Sequence, residues 1–233
     1  MSLVVKICGL RTPETIDAAV EAGADLLGFV FFGKSPRNVG YSDASLLNRH
    51  VAGRAKKVAL VVDASDGELE AIVAALEPDM LQFHGKEDPD RVAELRDRYR
   101  LPVIKAVGVS TAADVRRHEA YRSVSDQVLF DAKAPADAAH PGGNGLSFDW
   151  SLLAGLDLGK PMMLSGGLDA GNVARAIAIT GTPGVDVSSG VESAPGEKDP
   201  RRIAAFVAAA RAADKARHPA PPPGSAPTPL RPA

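Results

Sequence analysis

The chain is 233 residues long, 45% of its residues are hydrophobic and 24% are charged, and its formal net charge is −2. This composition is typical of a soluble globular protein, and so small a net charge gives no electrostatic basis for binding nucleic acid or an anionic membrane. No segment approaches the roughly 18 apolar residues of a membrane span. The short N-terminal apolar run is interrupted by Lys6 and Arg11, unlike a signal peptide. We therefore expect a cytoplasmic protein with a small-molecule partner and with no nucleic-acid or membrane partner.

Length and composition divide the chain into one domain and a tail. About 215 residues are enough for a single α/β barrel domain. The range 216–233 holds seven of the 18 prolines and has neither helical nor strand periodicity. We predict a barrel domain at 1–215 and a disordered proline-rich tail at 216–233. A lone proline-rich tail is only weak evidence of a ligand for a proline-binding module.

Short apolar runs rich in β-branched residues alternate with longer amphipathic segments from Val4 to about Val207. The short runs predict eight strands, at Val4–Cys8, Leu26–Phe32, Val58–Val62, Met80–His84, Val103–Val107, Val128–Asp131, Pro161–Ser165 and Gly184–Ser188. The longer segments predict helices, the first of them opened by the capping pair Thr12-Pro13. The others are predicted at Asp43–Val51, Asp66–Leu76, Pro89–Tyr99, Ala112–Tyr121, Trp150–Leu156, Ala170–Thr180 and Pro200–Ala213.

Eight strand-and-helix units predict an α/β fold, either a (β/α)8 TIM barrel or a doubly wound open sheet. The number of units favours the barrel. A dinucleotide-binding sheet would carry G-x-G-x-x-G directly after a strand, whereas the first predicted strand ends in Cys-Gly-Leu-Arg. The units have no fixed period, so a repeat solenoid is not expected.

Cys8 is the only cysteine of the chain and ends the first predicted strand. A free cysteine is most often a small buried hydrophobe, but catalytic side chains of barrels come from the C-terminal strand ends, where Cys8 would be a reactive thiol. Lys6 lies two residues earlier on the same face of the strand. An ammonium group inside a barrel needs a charge partner, and strand parity predicts that Asp186 is that partner.

Asp131 is a second titratable residue at a strand end. It is either a solvated carboxylate or a buried one that needs partners. If Cys8 and Asp131 face one ligand, they can act as a base and an acid, because a thiolate takes a proton and a carboxylic acid gives one. Gln82 and His84 share one face of the fourth predicted strand, although a histidine in such a place is more often satisfied by its neighbours than catalytic.

Two loops rich in glycine follow the seventh and eighth predicted strands. Gly166-Gly167 and Ser188-Ser189-Gly190 let backbone N–H groups approach a ligand closely, and barrels often bind phosphate between these two loops. A glycine pair can equally serve as a simple turn. Arg37, stiffened by Pro36, is either a solvated loop charge or a fork for a carboxylate. No spacing of ligating residues predicts a metal site, and we expect no cofactor.

Six motifs span the chain from Val4 to about Ala213. They are Lys6-Ile7-Cys8-Gly9-Leu10, Ser35-Pro36-Arg37, Leu81-Gln82-Phe83-His84-Gly85, Gly142-Gly143-Asn144-Gly145 with Phe148-Asp149-Trp150, Ser165-Gly166-Gly167-Leu168 with Asn172-Val173, and Gly184-Val185-Asp186-Val187-Ser188-Ser189-Gly190-Val191-Glu192. In this order they resemble the motifs of the phosphoribosylanthranilate isomerases of tryptophan biosynthesis. The combination is highly specific, whereas no single motif would be.

The resemblance implies a barrel enzyme that isomerises N-(5-phosphoribosyl)anthranilate to 1-(2-carboxyphenylamino)-1-deoxyribulose 5-phosphate without a cofactor. It implies that Asp131 is the general acid that opens the ribose ring, that Cys8 is the general base at C2, and that Arg37 holds the anthranilate carboxylate. The other expected substrate-binding residues are His84, Gly143, Gly166, Gly167, Asp186, Ser189 and Gly190. Asn144 stands where the family usually has Thr or Ser. We expect a monomer that binds a small phosphorylated substrate.

Two other classes of protein are compatible with a ribose-phosphate barrel. A metal-dependent sugar-phosphate epimerase would need inward-facing His and Asp ligands, and of the five histidines only His84 lies at a strand end. A barrel that binds a phosphorylated ligand without catalysis would have no need of both Cys8 and Asp131. Turnover of phosphoribosylanthranilate with and without a chelator distinguishes all three.

Overall fold

The structure, a computed structural model, describes residues 2–135, 137–138 and 140–217. Eight parallel strands follow one another in chain order around a closed barrel, and the last pairs with the first. They are β1 (Val4–Cys8), β2 (Leu26–Phe31), β3 (Lys56–Val61), β4 (Met80–Phe83), β5 (Val103–Val109), β6 (Gln127–Ala132), β7 (Met162–Leu164) and β8 (Gly184–Val187). The predicted (β/α)8 barrel and its eight strands are confirmed, with ends that differ from the prediction by at most two residues.

The two faces of the strands bury different side chains, as parallel strands covered on both sides must. Outward side chains such as Val5 and Ile7 pack against the helices in the main core. Inward side chains fill the barrel, and toward the amino ends of the strands they are apolar: Leu26, Val58, Ile104, Ala106, Leu129 and Met163. Cys8 shares a second small cluster with Val30 and Leu60 near the carboxyl ends. The polar side chains of the interior therefore gather in the carboxyl-terminal half of the barrel.

Seven α-helices surround the barrel in the described part of the chain. They are α1 (Pro13–Ala22), α2 (Tyr41–Val51), α3 (Asp66–Leu76), α4 (Pro89–Tyr99), α5 (Ala112–Arg116), α6 (Val173–Thr180) and α7 (Pro200–Arg217). Local sequence explains where several begin. The Thr12 side chain accepts a hydrogen bond from the Thr15 N–H ahead of α1, and Ser65 and Glu68 form a capping box at α3. The predicted bounds of α3 and α4 are confirmed without change.

Two predicted helices are shorter than expected, and one is replaced. The segment between β6 and β7 forms only a 3₁₀ turn at Trp150–Leu153, where an α-helix was predicted to Leu156. The Asp169 carboxylate accepts hydrogen bonds from the N–H groups of the loop before α6, which therefore begins three residues later than predicted. The predicted helix that starts at Ala112 changes to a 3₁₀ helix at Arg117–Tyr121.

The chain after β8 contains a feature that was not predicted. A 3₁₀ turn at Ser189–Val191 leads into a small antiparallel hairpin, formed by β9 (Glu192–Ala194) and β10 (Glu197–Lys198). The hairpin lies against the loop after β2. Gly196 packs so tightly against the Pro36 carbonyl group that a Cβ added to Gly196 would lie 2.5 Å from the Pro36 oxygen. Residues 192–198 are thereby held at the carboxyl end of the barrel.

The last helix, α7, extends to Arg217 and so includes the first two residues of the predicted tail. Arg217 donates to the Thr182 carbonyl oxygen (3.1 Å) and pairs with Asp214 (2.9 Å), which ties this end of the helix to the barrel. The rest of the predicted tail, 218–233, lies outside the described residues. Across residues 2–135, 137–138 and 140–217, no helix has both the length and the apolar character to cross a bilayer.

Candidate active site

A pocket of about 710 Å³, including its open mouth, lies at the carboxyl ends of the barrel strands. Its position is that of barrel active sites. The residues predicted for the site that line it are Cys8, Arg37, His84, Asp131, Gly143, Gly166, Gly167, Asp186 and Ser189. Gly190 does not line the pocket. It packs beneath the loop after β7, where a Cβ would overlap the Leu168 carbonyl oxygen.

Cys8 forms part of the pocket wall although only 3% of its surface is exposed. Its main chain is held by the Ser188 hydroxyl, which donates to the Cys8 carbonyl oxygen (3.1 Å) and is contacted by Nζ of Lys198 (3.2 Å). Burial raises the pKa of the thiol, and the positive charges of Lys6 and Lys198 offset that rise only in part. Cys8 is thus a protonated thiol at neutral pH, with two cations beside it.

The predicted ion pair between Lys6 and Asp186 is confirmed. The two residues are opposite each other in the register of β1 and β8, and Nζ of Lys6 lies 3.0 Å from a carboxylate oxygen of Asp186. Lys6 is completely buried, yet its pKa is raised: burial lowers it, but the neighbouring Asp186 carboxylate and Cys8 together raise it by more. The other Asp186 oxygen is 3.5 Å from the Ser165 hydroxyl. Lys6 is therefore a permanent cation below the pocket floor.

Asp131 lies near the end of β6 and is 4% exposed. One carboxylate oxygen accepts a hydrogen bond from the Ala132 N–H (2.9 Å), and the other is 3.3 Å from Nε2 of His84. Nδ1 of His84 is 3.3 Å from the amide nitrogen of Gln82. An amide that donates to Nδ1 leaves the ring proton on Nε2, where it faces Asp131. His84, predicted as a substrate-binding residue, thus also orients the Asp131 carboxylate.

Arg37 is buried beside the pocket and is already paired. Its Nε and one terminal nitrogen bind both carboxylate oxygens of Glu192 (2.7 and 2.8 Å), and that terminal nitrogen also donates to the Gly143 carbonyl oxygen (3.1 Å). Lys198 approaches the same carboxylate at 2.6 Å. Burial alone would raise the pKa of Glu192, but its hydrogen bonds to Arg37 and Lys198 lower it instead. Burial lowers the pKa of Lys198, so the permanent cation at the pocket wall is the Arg37 guanidinium, which Glu192 holds from behind.

The loop after β6 comes close to the side chains of Arg37, His84 and Asp131 because it carries glycines. Gly143 has φ +73°, and a Cβ there would lie 2.6 Å from a terminal nitrogen of Arg37. A Cβ at Gly142 would lie 2.6 Å from an Asp131 carboxylate oxygen and 2.7 Å from the His84 ring. Any side chain at these two positions would have to displace the groups that the site uses. Gly143 therefore provides close backbone approach, and Asn144, next to it, lines the pocket.

The loops after β7 and β8 provide backbone donors. The N–H groups of Gly166 and Gly167 donate to no other residue in the part of the chain that the structure describes. The turn is held by Asn172, whose side-chain amide donates to the Gly167 carbonyl oxygen (2.8 Å). Ser189 begins the 3₁₀ turn after β8, where the first N–H groups have no acceptor within the turn. Such free N–H groups are suited to phosphate oxygens.

Sequence reasoning assigned no role to Glu192 or Lys198, although both stand at the site. Glu192 lay inside a recognised motif, and a carboxylate directly after the apolar Val191 is a signal of a buried, paired group. Its partner Arg37 is 155 residues away in the sequence, so the ion pair itself could not be predicted from sequence spacing. Among the described residues, no group of three or more His, Cys, Asp or Glu side chains is arranged to hold a metal ion.

Known proteins of one enzyme family are similar to this chain over most of its length. The sequence model of the N-(5'-phosphoribosyl)anthranilate (PRA) isomerase family matches residues 5–209. The N-(5'-phosphoribosyl)anthranilate isomerase of Azorhizobium caulinodans is 58% identical over 94% of this chain and 96% of its own length, and that of Rhodopseudomonas palustris strain BisB5 is 56% identical over 92% and 99%. A match over nearly the whole length of both proteins relates the entire barrel, and not only the motifs.

Solved structures show the same relation. The phosphoribosyl anthranilate isomerase of Thermotoga maritima superposes with a TM-score of 0.80 at 35% identity, over 90% of this chain and 99% of that one. A second structure, of a phosphoribosyl anthranilate isomerase in complex with reduced 1-(o-carboxyphenylamino)-1-deoxyribulose 5-phosphate, superposes with a TM-score of 0.76 at 33% identity, with the same coverage. The chain belongs to the N-(5'-phosphoribosyl)anthranilate isomerase family.

Proposed function

We propose that this protein isomerises N-(5-phosphoribosyl)anthranilate to 1-(2-carboxyphenylamino)-1-deoxyribulose 5-phosphate, a step of tryptophan biosynthesis, without a cofactor. The observation that carries the proposal is the presence of Cys8 and Asp131 in the wall of one pocket, on β1 and β6. Those strands are separated around the barrel by β7 and β8. A base and an acid from different sides of the pocket suit a sugar that must be protonated at one atom and deprotonated at another.

Asp131 acts first in this mechanism, as the general acid. Its protonated carboxyl group gives a proton to the ribose ring oxygen while the bond from that oxygen to C1 breaks. The nitrogen lone pair of the anthranilate forms the C1–N double bond, which yields an open-chain Schiff base. His84, 3.3 Å from the carboxyl group, keeps it directed into the pocket.

Cys8 acts second, as the general base. Its thiolate takes the proton from C2, the electrons of the broken C–H bond form the C1–C2 double bond, and the C1–N π electrons return to nitrogen. The resulting enolamine becomes the ketone when C1 gains a proton and the C2 hydroxyl loses one. The reaction moves only protons and electron pairs, so its equation balances without an electron acceptor or a metal.

The two ends of the substrate are anions, and we assign each a separate part of the pocket. The planar guanidinium of Arg37, held by Glu192 in the pocket wall, is suited to the anthranilate carboxylate. The free N–H groups of Gly166 and Gly167, together with Ser189 in the wall of the same pocket, are suited to the phosphate. The ribose then lies between the two anchors, next to Cys8 and Asp131. Asp186 is assigned to the sugar hydroxyls.

The test of this function is turnover of phosphoribosylanthranilate by the purified full-length chain, followed by anthranilate fluorescence. We expect conversion that is unchanged by a chelator, and complementation of a tryptophan auxotroph that lacks this isomerase. Conversion abolished by the chelator would point to a metal-dependent barrel enzyme instead. Binding of the substrate without conversion would point to a non-catalytic barrel.

Arg37→Gln is expected to raise KM for phosphoribosylanthranilate by about 10–100-fold, the worth of a charged hydrogen bond of about 1.5–3 kcal/mol. Glu192 keeps Lys198 as its partner in this variant, so no carboxylate is left buried and unpaired. The matched control is Arg11→Gln, which removes an exposed arginine that contacts the same loop at the Pro36 carbonyl oxygen. Steady-state kinetics check both variants, and an unchanged KM in Arg37→Gln would contradict the assignment.

We further expect a cytoplasmic monomer. One solved relative, the phosphoribosylantranilate isomerase of Thermotoga maritima, is dimeric. In this chain the exposed large apolar side chains of the described residues are Tyr41, Leu46, Leu146 and Ile179. Tyr41 and Leu46 lie on α2, whereas Leu146 lies in the loop after β6 and Ile179 lies on α6.

A further inference from the structure

Lys6 is a charged residue that lies directly below the proposed base. It lies two residues before Cys8 on β1, so both side chains point into the barrel. It has no exposed surface and does not line the pocket, so it does not contact a bound substrate. The proposed mechanism gives it no role. A lysine completely buried in the interior of a barrel nevertheless needs a reason beyond packing, because burying its charge is costly.

The ends of the Lys6 and Cys8 side chains meet over the same backbone position of the neighbouring strand β2. A Cβ built at Gly28 would lie 2.9 Å from Sγ of Cys8 and 3.1 Å from Nζ of Lys6. The absence of a side chain at Gly28 thus leaves room for the ammonium group and the thiol to approach each other. The chain places a cation next to the sulfur on one side, and the pocket on the other.

Other charged groups around Cys8 must be counted as well. Asp186 on β8 is held by Lys6, and Lys198 on β10 is held by Glu192 and by Ser188, whose hydroxyl contacts the Cys8 carbonyl oxygen. Asp131, His84 and Arg37 face the same pocket from β6, from the end of β4 and from the loop after β2. Asp186 opposes a negative charge on sulfur, while Lys6 and Lys198 favour it. Of these two cations, Lys6 lowers the pKa of Cys8 more than Lys198 does.

We propose that Lys6 is a positioning residue for the general base: its ammonium group, held in place by Asp186, stabilises the Cys8 thiolate from below the pocket floor. This inference rests on the proposed function of Cys8 as a base. It adds the group whose positive charge allows the buried thiol to lose its proton. When the thiol loses its proton to solvent, the sulfur lone pair faces an ammonium that is already in place. Lys6 keeps its own proton throughout, because its pKa is raised, and so it does not compete for the role of base.

Asp186 has a defined part in this arrangement. Without a carboxylate partner, a lysine in the barrel interior would lose its proton and with it the ability to stabilise an anion. The Asp186 carboxylate keeps Lys6 charged while Cys8 is still a neutral thiol. The ion pair is therefore prepared before catalysis, and no group has to move when the thiolate forms.

The experiment uses the fact that Cys8 is the only cysteine of the chain. Thiolate formation is followed by ultraviolet absorbance across a pH series, with the Cys8→Ala protein subtracted to remove the tyrosines, and by the rate of alkylation with iodoacetamide. Lys6→Met is expected to raise the midpoint of both curves by about 1 pH unit or more, the effect of an opposite charge within about 4–6 Å. The ascending limb of kcat against pH moves by the same amount.

Two further variants separate this effect from a loss of stability. Lys105→Met removes another buried lysine, also in an ion pair (2.7 Å to Glu87) but on β5, and is expected to leave the thiol midpoint unchanged. The double variant Lys6→Met/Asp186→Leu removes both charges, which avoids an unpaired buried carboxylate if Lys6→Met alone does not fold. Its midpoint is expected between those of the wild-type protein and Lys6→Met.

The proposal is overturned if the midpoint stays within about 0.3 pH units in both Lys6 variants, or if Lys105→Met moves it equally; one pH unit corresponds to about 1.4 kcal/mol. These readouts need no substrate. If Cys8→Ala retained full activity, the proposed function of Cys8 would fail, while the midpoint shift would still report whether Lys6 stabilises its thiolate.

Discussion

Asp131→Asn is expected to lower kcat by about 10²–10⁴-fold, the usual contribution of a general acid, while KM changes by only a few-fold. An asparagine amide has no acidic proton to give to the ribose ring oxygen. Ring opening would then depend on water or on His84, neither of which is held in the place of the carboxyl group. Turnover is measured by loss of anthranilate fluorescence at saturating substrate.

The structure explains why this variant should fold and bind normally. Asparagine has nearly the same shape as aspartate, and its amide oxygen can still accept from the Ala132 N–H. Its amide nitrogen can still face Nε2 of His84 once the histidine changes tautomer. Binding of reduced 1-(o-carboxyphenylamino)-1-deoxyribulose 5-phosphate, which has no ring to open, should therefore stay within a few-fold of the wild-type value.

An isotope effect distinguishes the step that is lost. With deuterium at C2 of the substrate, slow ring opening in Asp131→Asn should hide the C2 step, and the isotope effect on kcat should approach unity. The control is Asp137→Asn, a change in the same loop region at a residue that does not line the pocket. Near wild-type turnover in Asp131→Asn, or a C2 isotope effect larger than that of the wild-type protein, would show that Asp131 is not the acid.

The barrel itself could be predicted because its strands have a simple pattern. Each is a short apolar run buried on both faces, and the intervening helices begin with residues whose side chains can cap them, such as Thr12 and Ser65. The pairing of Lys6 with Asp186 also followed from sequence, because β1 and β8 close the barrel and strand parity puts both side chains inside it. In regular strands and helices, the spacing of residues in the sequence determines where their side chains lie in the fold.

The surroundings of Arg37 could not be predicted in the same way. Its partners Glu192 and Lys198 lie on a hairpin whose strands have only three and two residues, too short to leave a periodic signal. The hairpin is placed by contacts with a distant loop, including the close approach of Gly196 to Pro36. The sequence predicted an arginine that is free to bind a carboxylate. In the structure, Arg37 shares Glu192 with Lys198.

The loop between β6 and β7 shows the same limit. Sequence spacing predicted a helix at Trp150–Leu156, but the segment forms a 3₁₀ turn capped by the Asp149 carboxylate, which accepts from the Ser151 N–H (3.0 Å). The part of this loop nearest the pocket is shaped by close contacts of Gly142 with Asp131 and His84. Local propensity does not determine such a loop, since tertiary contacts fix it.

Cys8→Ala is expected to lower kcat by about 10²–10⁴-fold and to leave binding of the reduced product analogue nearly unchanged. Cys8→Ser should be almost as slow, because a hydroxyl group is far less acidic than a thiol and gives almost no anion at neutral pH. Both variants should fold, since serine keeps the size of the side chain and alanine leaves only a small gap beside Val30 and Leu60. Circular dichroism and thermal unfolding check this.

The pH profile and the isotope effect test whether Cys8 is the base. Because burial raises the pKa of its thiol, the thiolate fraction and therefore kcat should rise with pH through the neutral and weakly alkaline range, and level off only above the pKa of an exposed thiol. That ascending limb should be absent in Cys8→Ala. In Cys8→Ser, the C2 deuterium isotope effect should increase toward its full value, opposite to its change in Asp131→Asn, because proton removal is now the slow step. A Cys8→Ala protein with near wild-type kcat, or one that keeps the ascending limb, would assign the base to another group.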